Sequence, residues 1–556
     1  MQTNCKSPLK NPMNLPVYKA LVVFLFILSL WGCGTTKTIP QPSQMPLSQG
    51  TDANVVLSNG VSQMDRPKRE FRGAWLATVT GGYQGMTPVE MRSKLVEQLN
   101  VLQYAGVNAV LFQIRPTADA FYPSALEPWS RYLTGVQGKA PSPIWDPLQF
   151  MIDECHRRGM EMHAWINPYR VKQHLSDKLA PWHIYNKHPE RFVKYGDKLF
   201  FNPALSANRD YINAVIADIV KRYDVDGIHL DDYFYPYPIP GQVFNDRAQF
   251  NHRVDKQMNL GDWRRLQVDY LIRELHQTIN RLKPWVKFGV SPFGIYRNEK
   301  NDPNGSATNG LENYGDLYAD VLKWARNGWV DYLIPQIYWR IGNPVADYQV
   351  LVDWWARNTQ GVPLIVGQSV DRILKYPDTK DIDKNQLDAK MKLQRSYHTV
   401  VGSCQWPGRY VARNMGHYAD SLKIKYHKYP ALQPVFYQID AQAPYHVEKL
   451  DAQWSEAGYR LTWQPPLIKH LREMLRGGML SQKQAFEMAR ADKYVVYRFA
   501  RHQKVDLTDP KYIVTITDKC YYQLPYVDGK VRYHYVVTAM DRLQNESDGR
   551  MIAVKL

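Results

Sequence analysis

Short apolar runs alternate with stretches of helical period along most of the chain. The first run is 71–79. Thr87 then caps a helix, with Pro88 at its first position and Glu90 closing a capping box. Met91, Leu95, Leu99 and Leu102 fall on one helix face, and Gly106 stops it. Strand-like runs recur at 107–116, 160–168, 224–238, 287–294, 331–339, 363–370 and 401–407. Between them the spacing predicts helices beginning at Asp146-Pro147 and at 207–223, 262–282, 316–327, 344–357 and 384–398. Eight strands alternating with helices predict an α/β fold, a (β/α)8 TIM barrel over 66–430 with enlarged loops on one face.

After Pro430 the period changes. The runs 458–463, 493–499, 511–516 and 532–540 alternate apolar and polar positions, interrupted by a helical reading at 467–492. A Trp-bearing strand (Trp463) and a late Tyr-bearing strand (Tyr533, Tyr535) predict a C-terminal fibronectin type III-like β-sandwich over 431–556, with a binding or spacer role. At the other end, Lys19 precedes an apolar run at 20–30 too short to span a bilayer. Leu30-Trp31-Gly32-Cys33 follows, which is similar to a bacterial lipoprotein signal. Residues 1–33 are therefore expected to be a signal peptide with Cys33 as the lipidated residue, and the Thr/Ser/Pro/Gln-rich 34–65 a flexible tether. This predicts an envelope protein held to the outer membrane by a lipid anchor.

Composition changes this picture in two ways. The net charge of +17 invites nucleic acid as a partner, but no Lys/Arg block dominates and acids are interspersed, so nucleic-acid binding is not expected. The 37 Tyr and 16 Trp are a heavy aromatic load that reads as core and barrel packing for most of them and also suits a cleft in which sugar faces stack on rings. The five Cys lack metal-site spacing, and no Gly-rich phosphate loop or GxSxG elbow is present. No metal or cofactor is expected.

Barrel chemistry gathers at the carboxyl ends of the strands. There the chain places Arg115, Asp119 and Glu127; His163, Asn167, Tyr169 and Arg170; His229, Asp231, Asp232 and Tyr233; and Gln336, Tyr338 and Trp339. Such a set suits carboxylate acid/base or nucleophilic chemistry on a polysaccharide, with glycoside hydrolysis as the leading case. Strand alternation puts Asp231 on the face of His229 and turns Asp232 away. Asp231 is thus expected to act as nucleophile or electrostatic stabiliser, held ionised by His229, with Asp232 in play only if the strand ends between them. The partner carboxyl would come from a loop: Asp119, Glu127, Asp302, Glu312 or Asp371. His163 and His229 also read as satisfied barrel histidines, Arg115 and Arg170 as structural ion pairs, and Trp75 and Trp165 as core.

Six motifs in order, 71–79, 113–130, 165–170, 226–236, 291–298 and 331–339, resemble the glycosyl-hydrolase-like 10 family of bacterial envelope lipoproteins. The resemblance implies a (β/α)8 barrel and a hydrolase acting on peptidoglycan glycan strands stripped of peptides, with cell-division proteins as partners. By motif it implies Arg115, Asp119, Asn167, Asp231, Asp232, Gln336 and Tyr338 as cleft residues. Asp226-Gly-Ile-His-Leu-Asp231 also resembles the fourth-strand motif of the α-amylase superfamily, whose last Asp is the nucleophile, but His229 replaces its Arg. Similarity to chitinases breaks at Tyr233, where those enzymes carry their catalytic Glu. The remaining alternatives are a non-catalytic glycan-binding lipoprotein and a hydrolase of another extracellular polysaccharide.

Overall fold

A computed structural model describes residues 66–556 apart from positions 457, 469–473, 476–477, 526–530 and 556. The signal sequence with Cys33 and the tether lie outside the described residues. Eight parallel strands close into a barrel: β1 (Phe71–Leu76), β2 (Ala109–Arg115), β3 (Glu161–Ile166), β4 (Gly227–Leu230), β5 (Lys287–Val290), β6 (Tyr332–Leu333), β7 (Leu364–Ser369) and β8 (Val400–Trp406). Each pairs with the next, and β1 closes on β8. The helices between them begin where the caps predict. Pro88–Tyr104 has the full Thr87/Glu90 capping box, and Pro147–Arg157 is capped by Asp146. Outward-facing strand residues such as Phe112, Ile228 and Leu230 and helix residues such as Leu95 and Leu271 form one buried layer between strands and helices.

Two departures from the sequence pattern shape the mouth of the barrel. β6 keeps only Tyr332–Leu333 of the run at 331–339, because Pro335 has no N–H to continue the ladder. Beyond it Gln336 bridges Phe293 and Gly367 singly. The long connection after β3, which reads as loop, carries a small antiparallel sheet of Arg170–Lys172, Phe192–Tyr195 and Lys198–Phe201.

The barrel interior is a hydrogen-bonded column. The Trp75 indole N–H can only donate, so its 3.3 Å contact makes His229 Nε2 an acceptor and leaves the proton on Nδ1. That proton points to the Tyr332 hydroxyl at 3.2 Å, which lies 2.7 Å from His163 Nδ1. His163 Nε2 then donates to Glu161 at 3.0 Å, and the Lys287 ammonium closes the base at 2.7 Å from the same carboxylate. Two glycines give the rings their space: a Cβ on Gly289 would sit 2.0 Å from the Tyr332 ring, and one on Gly227 2.4 Å from His163.

The C-terminal region contains a three-stranded sheet of β9 (Glu448–Ser455), β10 (Gly458–Gln464) and β13 (Tyr521–Gln523). A four-stranded sheet runs β12 (Ile513–Thr517), β11 (Lys493–Ala500), β14 (Arg532–Met540), β15 (Arg550–Lys555). Leu461 and Trp463 from one sheet and Val496, Tyr535 and Val537 from the other share one buried cluster. The helical reading at 467–492 resolves to Gln482–Ala489 among the described residues. The turn after β14 reaches the barrel's amino end. Arg542 pairs with Asp224 at 2.7 Å, and Gln544 donates to Glu161 at 3.3 Å.

Glu161 thus satisfies a buried ammonium, an imidazole N–H and an amide at once. Glu161→Ala leaves Lys287, 1% exposed, without its partner. Urea unfolding should show a loss of about 3–5 kcal/mol, the cost of an uncompensated buried charge. A loss below about 1 kcal/mol would mean that the column does not hold the barrel.

Candidate active site

β4 ends at Leu230, and Asp231 and Asp232 both lie beyond it. Strand alternation therefore stops governing them, and both carboxylates line one cleft of about 380 Å³ at the carboxyl end of the barrel. The expectation that Asp232 faces away is corrected for this reason. The same cleft is lined by Trp75, Gln113, Trp165, Arg170, Tyr233, Ser291, Gln336, Tyr338 and Trp406.

Asp231 is 4% exposed, and its two oxygens accept from Asn167 Nδ2 at 3.1 and 3.2 Å and from the Trp165 indole at 3.2 Å. Asn167 is itself oriented, because its Oδ1 accepts from the Arg170 backbone N–H at 2.8 Å. Burial pushes the Asp231 carboxyl up to about 6, with Arg170 opposing the rise and the Asp232 charge adding to it. Asp232 is 2% exposed and accepts a hydrogen bond from the Tyr237 hydroxyl. Burial raises its pKa too, while bonds from Tyr237 and Gln336 oppose the rise. The Arg170 guanidinium stacks 4.8 Å from the centre of the Tyr233 ring, and Gln336 is fixed by a 2.9 Å bond to the Ser291 carbonyl.

The structure gathers Asn167, Arg170, Asp231, Asp232, Tyr233, Gln336 and Tyr338 at or against this cleft. It places the other candidates elsewhere. Arg115 is fully buried, forks onto Glu127 at 2.6 and 2.7 Å and donates to the Asn167 carbonyl at 2.6 Å. This pair clamps the end of β2 to the end of β3 and does not reach the cleft. Asp119 accepts from Thr117 N and Gln137 inside its own loop. Tyr169 is wholly buried in the helix-facing layer, and Trp339 packs edge-on against Phe293 at 5.5 Å. His163 and His229 belong to the column beneath. Burial drives the His229 pKa well below its ordinary value, so it is neutral and does not hold Asp231 ionised. That part falls to Arg170.

None of the five loop carboxylates lines the cleft. Asp302 pairs with Arg297 at 2.8 Å, Glu312 accepts from Asn298 and Asn301, and Asp371 accepts from Ser369 at 2.6 Å. Among the described residues lining the cleft, Asp231 and Asp232 are the only carboxylates. Trp75 and Trp165, which read as core, form part of its wall. Their signal was position: each lies near the end of its strand on the inward face. Tyr237 carried no periodic signal at all.

A carboxylate-bearing, aromatic cleft at this end of a (β/α)8 barrel defines a glycoside-hydrolase type of site. The family comparison agrees. The model of the family described as "Glycosyl hydrolase-like 10" matches residues 70–385, and the chain belongs to that family. The glycosyl hydrolase YngK of Bacillus subtilis (strain 168) is 38% identical over 496 residues, 86% of this chain and 92% of that protein. The glycosyl hydrolase DigH of Escherichia coli (strain K12) is 36% identical over 353 residues, 60% of this chain and 78% of that protein. Among solved structures, the PgaB (BpsB) glycoside hydrolase domain from Bordetella bronchiseptica aligns with a TM-score of 0.42 at 12% identity, over 64% of this chain and 99% of that domain.

A carboxyl at 3.8 in the unfolded chain and about 6 in the folded one binds its proton more tightly when folded. Its ionisation therefore costs stability, and the cost grows as pH rises from about 4 through 6. Asp231→Asn lacks this cost. The stability of wild type minus variant should shift by about 2–3 kcal/mol in the variant's favour between pH 4 and 7. Denaturant titrations at both pH values check this, and a pH-independent difference contradicts it.

Proposed function

We propose that this protein is an envelope glycoside hydrolase that cleaves peptidoglycan glycan strands, acting on strands stripped of their stem peptides. The observation that carries the reading is the pair of buried carboxylates, Asp231 and Asp232, opening into a cleft walled by Trp75, Trp165 and Trp406. Indole faces suit the apolar faces of sugar rings, and the carboxyls supply proton transfer. Membership of a glycosyl hydrolase-like family supports the same class.

The wider organisation follows from the sequence. Residues 1–33 act as a lipoprotein signal, Cys33 carries the lipid, and 34–65 tether the body to the outer membrane. The barrel occupies 66–430. In the C-terminal part, 431–556, sheets of three and four strands around a shared core support a fibronectin type III-like sandwich. Cell-division proteins are the partners that such a location and substrate suggest.

The test is to incubate protein lacking residues 1–33 with intact and peptide-free peptidoglycan and to analyse the products by mass spectrometry. The expected result is new reducing ends from peptide-free strands, falling by about 10²–10⁴-fold in Asp231→Asn, the usual worth of a positioned catalytic group. Starch and chitin in the same panel separate this substrate from other extracellular polysaccharides. If binding occurs with no cleavage of any glycan, and Asp231→Asn behaves as wild type, the protein is a glycan-binding lipoprotein.

A further inference from the structure

We infer that the cleft hydrolyses β-linked 2-acetamido sugars using the substrate's own acetamido oxygen as nucleophile, with Asp231 holding the amide N–H and Asp232 serving as acid and then base. This rests on the hydrolase reading above. A hydrolase with two separate carboxyls needs them on either side of the scissile bond, about 5–5.5 Å apart for retention or about 6.5–9.5 Å for inversion. Asp231 and Asp232 are consecutive, with α-carbons about 3.8 Å apart, and both line this one cleft. The rest of the lining includes Trp75, Gln113, Ser291 and Tyr338, and the described lining contains no further carboxylate. With no third carboxylate in the described lining to share the work, a nucleophile carried by the substrate completes the set. A 2-acetamido group trans to the leaving oxygen is tethered beside C1 and supplies it.

The two carboxylates are built for different parts. Asp231 is fixed through both oxygens by N–H donors, Trp165 and Asn167. Such an acceptor suits an amide N–H and the positive charge that develops on the amide. The indoles of Trp75, Trp165 and Trp406 line the same cleft, apolar surface for the acetyl methyl. Asp232 instead accepts a hydrogen bond from the Tyr237 hydroxyl.

In the first step the amide carbonyl oxygen bonds to C1 as the glycosidic C1–O bond breaks. The leaving oxygen keeps the electron pair and takes the Asp232 proton, while Asp231 holds the amide proton against the cyclic cation. In the second step water attacks C1 and gives a proton to Asp232, and the C1–O bond to the amide breaks, restoring the acetamido group. The net reaction adds water with retention.

The test uses peptide-free glycan strands that are de-N-acetylated and then re-acylated with acetyl or trifluoroacetyl groups. The acetylated strands should be cleaved and release the β-anomer first by NMR. The trifluoroacetylated strands, whose carbonyl oxygen is a poor nucleophile, should react about 100-fold more slowly. Asp232→Ala should lose glycan cleavage yet still release dinitrophenolate from a 2-acetamido glycoside in a first-step burst, since that departure needs no acid, followed by slow turnover for want of the base. Asp231→Asn should lose both. Equal rates on both acylated strands, release of the α-anomer, or covalent labelling of Asp231 by a 2-fluoro glycoside overturns the inference and leaves the hydrolase reading standing. Inert acetylated strands overturn both.

Discussion

The barrel depends on a chain of fixed hydrogen bonds down its axis. Trp75 sets the tautomer of His229, His229 bonds to Tyr332, Tyr332 to His163, and His163 to Glu161 over the Lys287 ammonium. Every member is buried, so each donor must meet an acceptor or cost a few kcal/mol. The chain has one consistent direction because the indole N–H at its top can only donate. Apolar packing alone would tolerate a shift of one strand against another, whereas this column does not. The strand carrying Trp165 and the strand that leads to Asp231 are consequently held in register beneath the cleft.

Rigidity at this depth matters for the carboxylates above. Asp231 accepts from Trp165 on β3 and from Asn167 just past it, so its orientation is inherited from the β3–β4 pairing of Trp165 with His229. The Arg115–Glu127 clamp secures the carbonyl of Asn167 from the β2 side. It contacts no ligand space, yet it fixes the residue that fixes Asp231. The base of the column is closed by the C-terminal region through Gln544 and Arg542, so the two parts of the described chain share one set of polar contacts.

The alternation of apolar runs with capped helices made the barrel legible from the sequence, because burial on both faces of a parallel strand leaves an unbroken apolar run. The cleft's location was legible too, since Asp231, Asp232, Gln336 and Tyr338 follow strand ends. Two things were not. The sequence does not mark that β4 stops at Leu230, and period-2 reasoning carried one residue too far turned Asp232 away from its partner. Nor does it separate Arg115 and Glu127, bonded to each other, from residues bonded to a ligand, because the same side chains suit both. The three strands β9, β13 and β15 escaped notice because short or exposed strands lack a clean alternation.

The early end of β4 is what gives the site its chemistry. Had the ladder continued, one carboxylate would face the cleft and the other the helix layer, where Ile228 and Leu230 already sit. A single cleft carboxylate would then need a distant partner, and the loop acids are all committed to neighbours of their own. Release from the ladder instead lets consecutive side chains share one cavity, where burial raises both pKa values and the Asp232 charge adds to the rise at Asp231. Different donors then break the symmetry: the Trp165 and Asn167 N–H groups bond Asp231, and the Tyr237 hydroxyl bonds Asp232. A pair of identical residues thus acquires two environments, the condition under which two carboxyls take different parts.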